Sequence, residues 1–381
     1  MEPPARVFHV THPSRDPLAH LADGLAALEA RGLRRVPPPA LPQGALSFCS
    51  NDYLGLAGRF TSTAPSGSGA SRLIAGERQE HAELELALAR WFGVEAALAF
   101  SSGYAANVGA ISALAGPGDL VVSDALNHAS IIDGARLSRA RVAVTPHNDV
   151  GAISDALAKR TEPRALVVVE SYYSMDADGP DLKALRTLCS EHGVALYVDE
   201  AHAVGVLGPE GRGRCAEAGV VPDVLVGTLG KSLGSQGAFV AGSRVLRDWL
   251  WNRARSFVFS TGLSPAAADA GTRALEEILR APLLRDRVLR NAAHLRQGLA
   301  SLGLSPMGFG HVVPVLLGTS EAAQAMSAAL AERGLVVPPI RPPTVPEGTA
   351  RLRLTVTARH GEADVAAAID AFNGALRGRR A

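Results

Sequence analysis

The chain has 381 residues, of which 47% are hydrophobic and 20% charged, and 38 basic against 37 acidic residues leave a net charge of +1. That is the composition of a soluble globular protein with one large domain or two smaller ones. Near-zero charge excludes the basic footprint of a nucleic-acid binder, and no apolar run approaches the roughly 18 residues of a membrane span. Cys49, Cys189 and Cys215 are odd in number, far apart and without a CxxC pair, so a reduced, cytoplasmic protein is expected. MEPPARVFHV lacks a basic flank followed by an apolar core, so no secretory signal is expected at the N-terminus.

Leucines 18, 21, 25 and 28 predict a helix over 17–31, and prolines between 37 and 42 close an N-terminal arm of residues 1–42. A short strand, LSFCS, and the turn Ser50–Gly55 follow. The stretch 65–76, PSGSGASRLIAG, reads either as a flexible loop or as bare backbone able to approach a ligand or a neighbouring subunit. A helix is predicted from Glu80 to Phe92. From Ala96 onward seven apolar runs (ALAF, DLVVS, RVAVT, ALVVVE, ALYVDE, DVLVGT and GAFVAG) are mostly separated by helical segments. Short, continuously apolar strands alternating with helices predict an α/β domain over 43–260, with a mostly parallel seven-stranded sheet covered on both faces. The last two runs come close together, which allows an antiparallel edge. Residues 261–381 read as linking helices followed by strand, helix, two strands and helix, a smaller C-terminal α+β domain.

Lysine occurs only at 159, 183 and 231. The first two lie on helical segments, whereas Lys231 follows an apolar strand directly in Gly230-Lys231-Ser232. It is either a surface loop lysine or, with Thr228, Ser232 and Gly234 in the same turn, part of an anion-holding loop. A Walker motif is excluded because Leu225 stands where GxxxxGK(S/T) requires glycine. Asp199 ends another strand and His202 lies three residues on. Asp199 could be a helix N-cap, or a carboxylate that keeps a pyridine nitrogen protonated; no third ligand nearby makes the pair a metal site. Ligands of open α/β sheets bind outside the carboxyl ends of the strands, so the two turns are expected to share one crevice. A lysine able to form an imine, an aspartate and a histidine there suit pyridoxal phosphate (PLP). His128, opening a helix after the strand DLVVS, could stack on such a ring. Ser101-Ser102-Gly103-Tyr104 begins another helix and offers N–H groups to a phosphate, with Ser174 on the same rim. Arg353 alternates with leucines on a predicted strand; it belongs to an exposed basic stripe or grips a substrate carboxylate.

These segments together, SNDYLGLA, GSGASRLIAG, SSGYAAN, NHASIIDGARLS, SYYSMDADGPDL, VDEAHAVGVLG, TLGKSLGSQGAFVAG and IRPPTVPEGTARLRLT, resemble the α-oxoamine synthases from about residue 20 to the end. The resemblance implies the fold of the PLP-dependent transferases of type I and a homodimer. It implies that Lys231 carries the cofactor and moves the proton at the substrate α-carbon. Asp199 would pair with the ring nitrogen, His128 stack on the ring and His202 bond its phenolic oxygen. Gly103, Tyr104 and Thr228 would hold the phosphate, Ser174 lie near the ring, and Thr261 reach a phosphate across the dimer interface. Arg353 would bind a substrate carboxylate, with Arg34, Asn51 and Thr344 near the substrates. GSGASRLIAG and IRPPTVPEGTARLRLT resemble most the branch of biotin synthesis that joins L-alanine to a pimeloyl thioester, on CoA or a carrier protein, with loss of carbon dioxide. Sister synthases using glycine or serine, an aminotransferase and a non-catalytic partner of the same fold are the alternatives. The segment between Leu56 and the GSGASR loop is shorter than is usual in the family, which bears on acyl specificity.

Overall fold

The computed structural model describes residues 16–37 and 44–378, in two compact units, residues 1–43 and 44–381. In the first, α1 (His20–Ala30) forms where the leucine spacing predicts it, and Leu21, Leu25 and Leu28 stand exposed along it. The MEPPARVFHV segment and most of the proline-rich stretch lie outside the described residues.

The second unit opens with β1 (Leu46–Ser47), a π-helical turn (Arg72–Gly76) and α2 (Gln79–Phe92). It continues through β2 (Ala96–Phe100), α3 (Gly103–Leu114), β3 (Leu120–Asp124), α4 (Ala129–Ser138) and β4 (Arg141–Thr145). Then come α5 (Val150–Ala158), β5 (Ala165–Glu170), α6 (Leu182–Glu191), β6 (Ala195–Asp199), α7 (Gly213–Ala218), β7 (Val224–Thr228) and β8 (Ala238–Gly242). Four helices follow: α8 (Arg244–Arg253), α9 (Arg255–Val258), α10 (Pro265–Arg280) and α11 (Pro282–Ser301). The chain closes with β9 (Val312–Gly318), α12 (Ser320–Ala331), β10 (Leu335–Val336), β11 (Pro339–Ile340), β12 (Ala350–Thr355) and α13 (Glu362–Arg377).

All seven apolar runs form one sheet in the order β2-β8-β7-β6-β5-β3-β4. Strands β3 to β7 run parallel, and β8 is antiparallel to both β7 and β2. The antiparallel strand is therefore not at the edge, as the sequence had suggested, but second from it. The short 229–237 connection turns β8 back beside β7, and β2, from much earlier in the chain, then covers its open side. Alternate residues feed opposite faces. Leu98, Val168, Tyr197 and Val226 pack against α3, α4, α8 and α9, whereas Val167, Leu196 and Val198 pack under α5 and α6. Burial on both faces is why these strands read as unbroken apolar runs.

Strand order reverses between β3 and β5, so the connections after them diverge and leave a crevice at their carboxyl ends. A three-stranded antiparallel sheet, β11-β12-β9, forms a separate layer with α11, α12 and α13. Its core contains Leu295, Val313, Leu354 and Phe372, and Phe48 joins it from the start of the unit because β1 pairs with β10.

Candidate active site

The crevice at the ends of β3, β5, β6 and β7 gathers most of the expected site residues. Asp199 ends β6 in register with Glu170 at the end of β5, so both side chains point to the α3–α4 face. Asp199 is buried; its Oδ1 accepts from the Ala201 amide at 2.8 Å and its Oδ2 from Asn107 Nδ2 at 2.7 Å. Asn107 is the hub of this wall. Its Nδ2 also donates to Ser130 Oγ at 2.9 Å, and its Oδ1 accepts from the buried Tyr197 hydroxyl at 2.7 Å. Ser130 Oγ lies 2.7 Å from His128 Nδ1, so one amide sets the carboxylate and the imidazole together. His128 also caps α4, its Nδ1 accepting from the Ser130 amide, which leaves the other ring nitrogen to carry the proton.

Lys231 projects from the β7–β8 connection. Burial lowers its pKa, opposed by the acidic side chains of Asp199 and Glu170 and assisted by the Arg353 cation. The loop is tightly built. Thr228 Oγ1 donates to the Gly237 carbonyl at 3.0 Å and accepts from the Gly230 amide at 3.1 Å. Gly234 has φ of 58°, and a Cβ there would lie 2.3 Å from the Ala57 amide nitrogen, so the loop presses on the backbone after Tyr53. Tyr53 in turn places its hydroxyl 2.6 Å from His202 Nδ1. Burial holds His202 well below the usual histidine range, and Lys231 and Arg353 add to the effect, so the imidazole is neutral.

Arg353 is buried rather than part of an exposed stripe. Its Nε donates to the Ser174 carbonyl at 2.7 Å, and its Nη1 to Asn51 Oδ1 and Thr355 Oγ1, each at 3.1 Å. Nη2 is buried with no hydrogen-bond partner among the described residues. A guanidinium held rigidly on one edge with its other nitrogen unsatisfied has the donors to seat a carboxylate.

At the head of α3, Ser102 caps the helix by accepting from the Ala105 amide, and Gly103 follows at the first position. Tyr104 is half-exposed and its hydroxyl donates to Asp133, so an anion would meet its amide rather than its phenol. Thr261, exposed, lines a narrow cleft with Ser101 and Phe100. Thr344 is exposed and its amide donates to the Arg341 carbonyl. Arg34 lies in the N-terminal unit, where its guanidinium bonds Glu29 at 2.5 Å.

Asn107, Ser130, Tyr53 and Glu170 were not singled out from the sequence. A polar residue on the apolar stripe of a small-residue helix, between Ala106 and Ala110, was the available signal for Asn107. Glu170 closes the apolar run ALVVVE, and its Oε1 accepts from the His128 amide at 2.6 Å. Burial, with Asp199 beside it, raises its pKa to about 8, so at neutral pH it is mostly protonated.

The profile of the family described as aminotransferase class I and II matches residues 43–372. The chain belongs to that family. Within the family, 8-amino-7-oxononanoate synthase from Anaeromyxobacter sp. (strain Fw109-5) is 50% identical over 385 residues, covering 95% of this chain and 96% of that protein. The enzyme of the same name from Mycolicibacterium smegmatis is 45% identical, covering 98% and 100%. Among solved structures, Sphingomonas wittichii serine palmitoyltransferase superposes with a TM-score of 0.86 at 31% identity, covering 96% of this chain and 99% of that one. The 8-amino-7-oxononanoate synthase of Francisella tularensis, at 23% identity and a TM-score of 0.75, shares the fold over 89% of this chain and 100% of its own. The mostly parallel seven-stranded sheet is thus the type I fold of PLP-dependent enzymes in this family.

The residues present fit that cofactor. A lysine of lowered pKa and a buried carboxylate with both oxygens fixed face one crevice, with two histidines of lowered pKa near the lysine. The capped start of α3 supplies amides of the kind that bind phosphate.

Proposed function

We propose that this chain is an 8-amino-7-oxononanoate synthase, a PLP-dependent acyltransferase that joins L-alanine to a pimeloyl thioester. The observation that carries the reading is the unpartnered, buried Nη2 of Arg353, a carboxylate seat close enough to Lys231 to depress its pKa. Relatives of that name at 45–50% identity over nearly the whole chain support the choice of substrates.

Lys231 would hold the cofactor, Asp199 its ring nitrogen, His128 one ring face, His202 its phenolic oxygen, and the α3 N-terminus with Thr228 its phosphate. When bound, the cofactor supplies an electron-withdrawing ring that stabilises negative charge at the amino-acid α-carbon. Arg353, Asn51 and Ser174 orient the substrate. Arg353 takes the α-carboxylate, turning the Cα–H bond toward Lys231. Unprotonated Lys231 removes that proton, a form that its lowered pKa favours. The α-carbon then bonds to the acyl carbonyl carbon and the thiol leaves. The carboxylate departs as carbon dioxide, and a proton delivered to the same carbon completes 8-amino-7-oxononanoate.

A homodimer is part of the proposal. Exposed Ile74 and Phe259 lie on neighbouring segments, joined where the Gly262 amide donates to the Ala70 carbonyl, and give an apolar face beside Thr261. Three free cysteines suit a cytoplasmic enzyme.

Carboxyl-labelled L-alanine with pimeloyl-CoA tests the reaction type. The label is expected in carbon dioxide, with one free thiol released per carbon dioxide. Label retained in pyruvate with no thiol released would instead mean amino-group transfer.

A further inference from the structure

His147, in the turn between β4 and α5, takes no part in the roles above, yet both of its ring nitrogens face carboxylates. Nδ1 lies 2.8 Å from Asp124 Oδ1 and Nε2 lies 3.2 Å from each oxygen of Asp178. A neutral imidazole has a single N–H, so one of these contacts would set a lone pair against a carboxylate oxygen; the imidazolium donates to both. The neighbouring Asn148 completes the arrangement, its backbone amide donating to Asp124 Oδ2 at 2.7 Å and its side-chain amide standing 3.0 Å from His147 Nε2 and 3.2 Å from Asp178 Oδ2. The His147 ring also stands edge-on to Tyr173, 4.5 Å between centroids at 86°. Asp124 is buried at the end of β3, four residues before His128.

What the clamp holds is the 171–178 segment. Asp178 is bonded to it, and the Asp178 carbonyl accepts from the Tyr173 amide at 2.8 Å. The Tyr173 hydroxyl donates to Asn127, the residue next to His128. Two further cations grip the same loop from β12: Arg351 donates to Asp176 at 2.6 Å, and Arg353 to the Ser174 carbonyl at 2.7 Å. The loop that carries Ser174 and fixes one edge of Arg353 is therefore tied to the sheet through His147.

We propose that His147 is a positioning residue, held doubly protonated, that locks the Ser174 loop to the end of β3 and thereby sets the carboxylate seat at Arg353. The seat's use for an amino acid rests on the functional reading above; the charge on the ring does not. Burial alone would lower the pKa of this histidine, but the hydrogen bonds and charges of Asp124 and Asp178 outweigh it and raise the value to about 10. The titratable groups facing the ring are Asp124 from β3 and Asp178 and Tyr173 from the loop. With the folded pKa above the unfolded one, the clamp's stabilisation is complete below about pH 6.5 and declines as pH rises toward about 10, where it is lost.

The test uses holoenzyme labelled with 15N-histidine, and a His147→Phe variant to assign the ring. Long-range 1H–15N spectra should show His147 as an imidazolium through pH 8.5; a neutral tautomer at pH 7 would overturn the proposal. Binding of L-alanine, read from the change in cofactor absorbance without any acyl donor, should weaken about tenfold in His147→Phe, within the coupling range of contacting networks. Asp178→Asn, on the more exposed side of the clamp, should weaken it comparably and covers the case in which His147→Phe does not accumulate folded. The double variant should lose no more than the worse single one. Unchanged L-alanine affinity in both folded variants would refute the positioning role. Failure of the parent itself to bind L-alanine would count against the functional reading, while the ring spectrum still decides the charge.

Discussion

Lys231→Ala is expected to lower condensation by about 10⁴-fold or more, the upper end of what general acid–base catalysis contributes, because in the proposed roles the same lysine would also make the covalent bond to the cofactor. No other lysine can substitute. Lys159 is exposed and pairs with Asp155, and Lys183 lies in the first turn of α6. Lys231→Arg should be no better, since a guanidinium stays protonated and cannot accept the α-proton. Both variants should keep the fold, because the β7–β8 connection is held by Thr228, Gly234 and Gly237 rather than by the lysine side chain. The measurement is turnover together with the visible absorbance of the bound cofactor. Turnover within about tenfold of the parent in either variant would remove Lys231 from the role of base.

Arg353→Lys should raise the Michaelis constant for the amino acid by about 10–150-fold, the value of about 1.5–3 kcal/mol for a hydrogen bond to a charged group. Charge is retained in this variant, but the fork that bonds Ser174 and Asn51 while leaving Nη2 for a ligand is lost. Arg353→Ala should cost more, since the Ser174 loop loses an anchor as well. Saturation kinetics with each substrate varied in turn would separate the effects: the constant for the acyl thioester should move far less than that for the amino acid. Equal shifts for the two substrates would place Arg353 outside the carboxylate seat.

The sheet was legible because parallel strands buried on both faces must be apolar throughout, and ALVVVE and ALYVDE carry that signal without neighbours to compare. The place of β8 was not, since strand order depends on which edge a distant segment, β2, comes to cover. Lys231, Asp199 and His128 stood out as polar groups at the ends of such strands. Asn107, Glu170 and His147 did not, because their significance lies in partners far along the chain: Asp199 for Asn107, the His128 amide for Glu170, Asp124 and Asp178 for His147. Arg353 shows the same limit in another form. Alternation with leucines put it on one face of a strand, but only the packing of β12 against the Ser174 loop decided that this face is buried.

The substrates are tested most directly by the mass of the product formed by PLP-loaded protein given glycine, L-serine and L-alanine together with pimeloyl-CoA and succinyl-CoA. 8-Amino-7-oxononanoate is expected to dominate, and to be absent with Lys231→Ala. A glycine- or serine-derived ketone, or a succinyl-derived one, would contradict the substrate assignment.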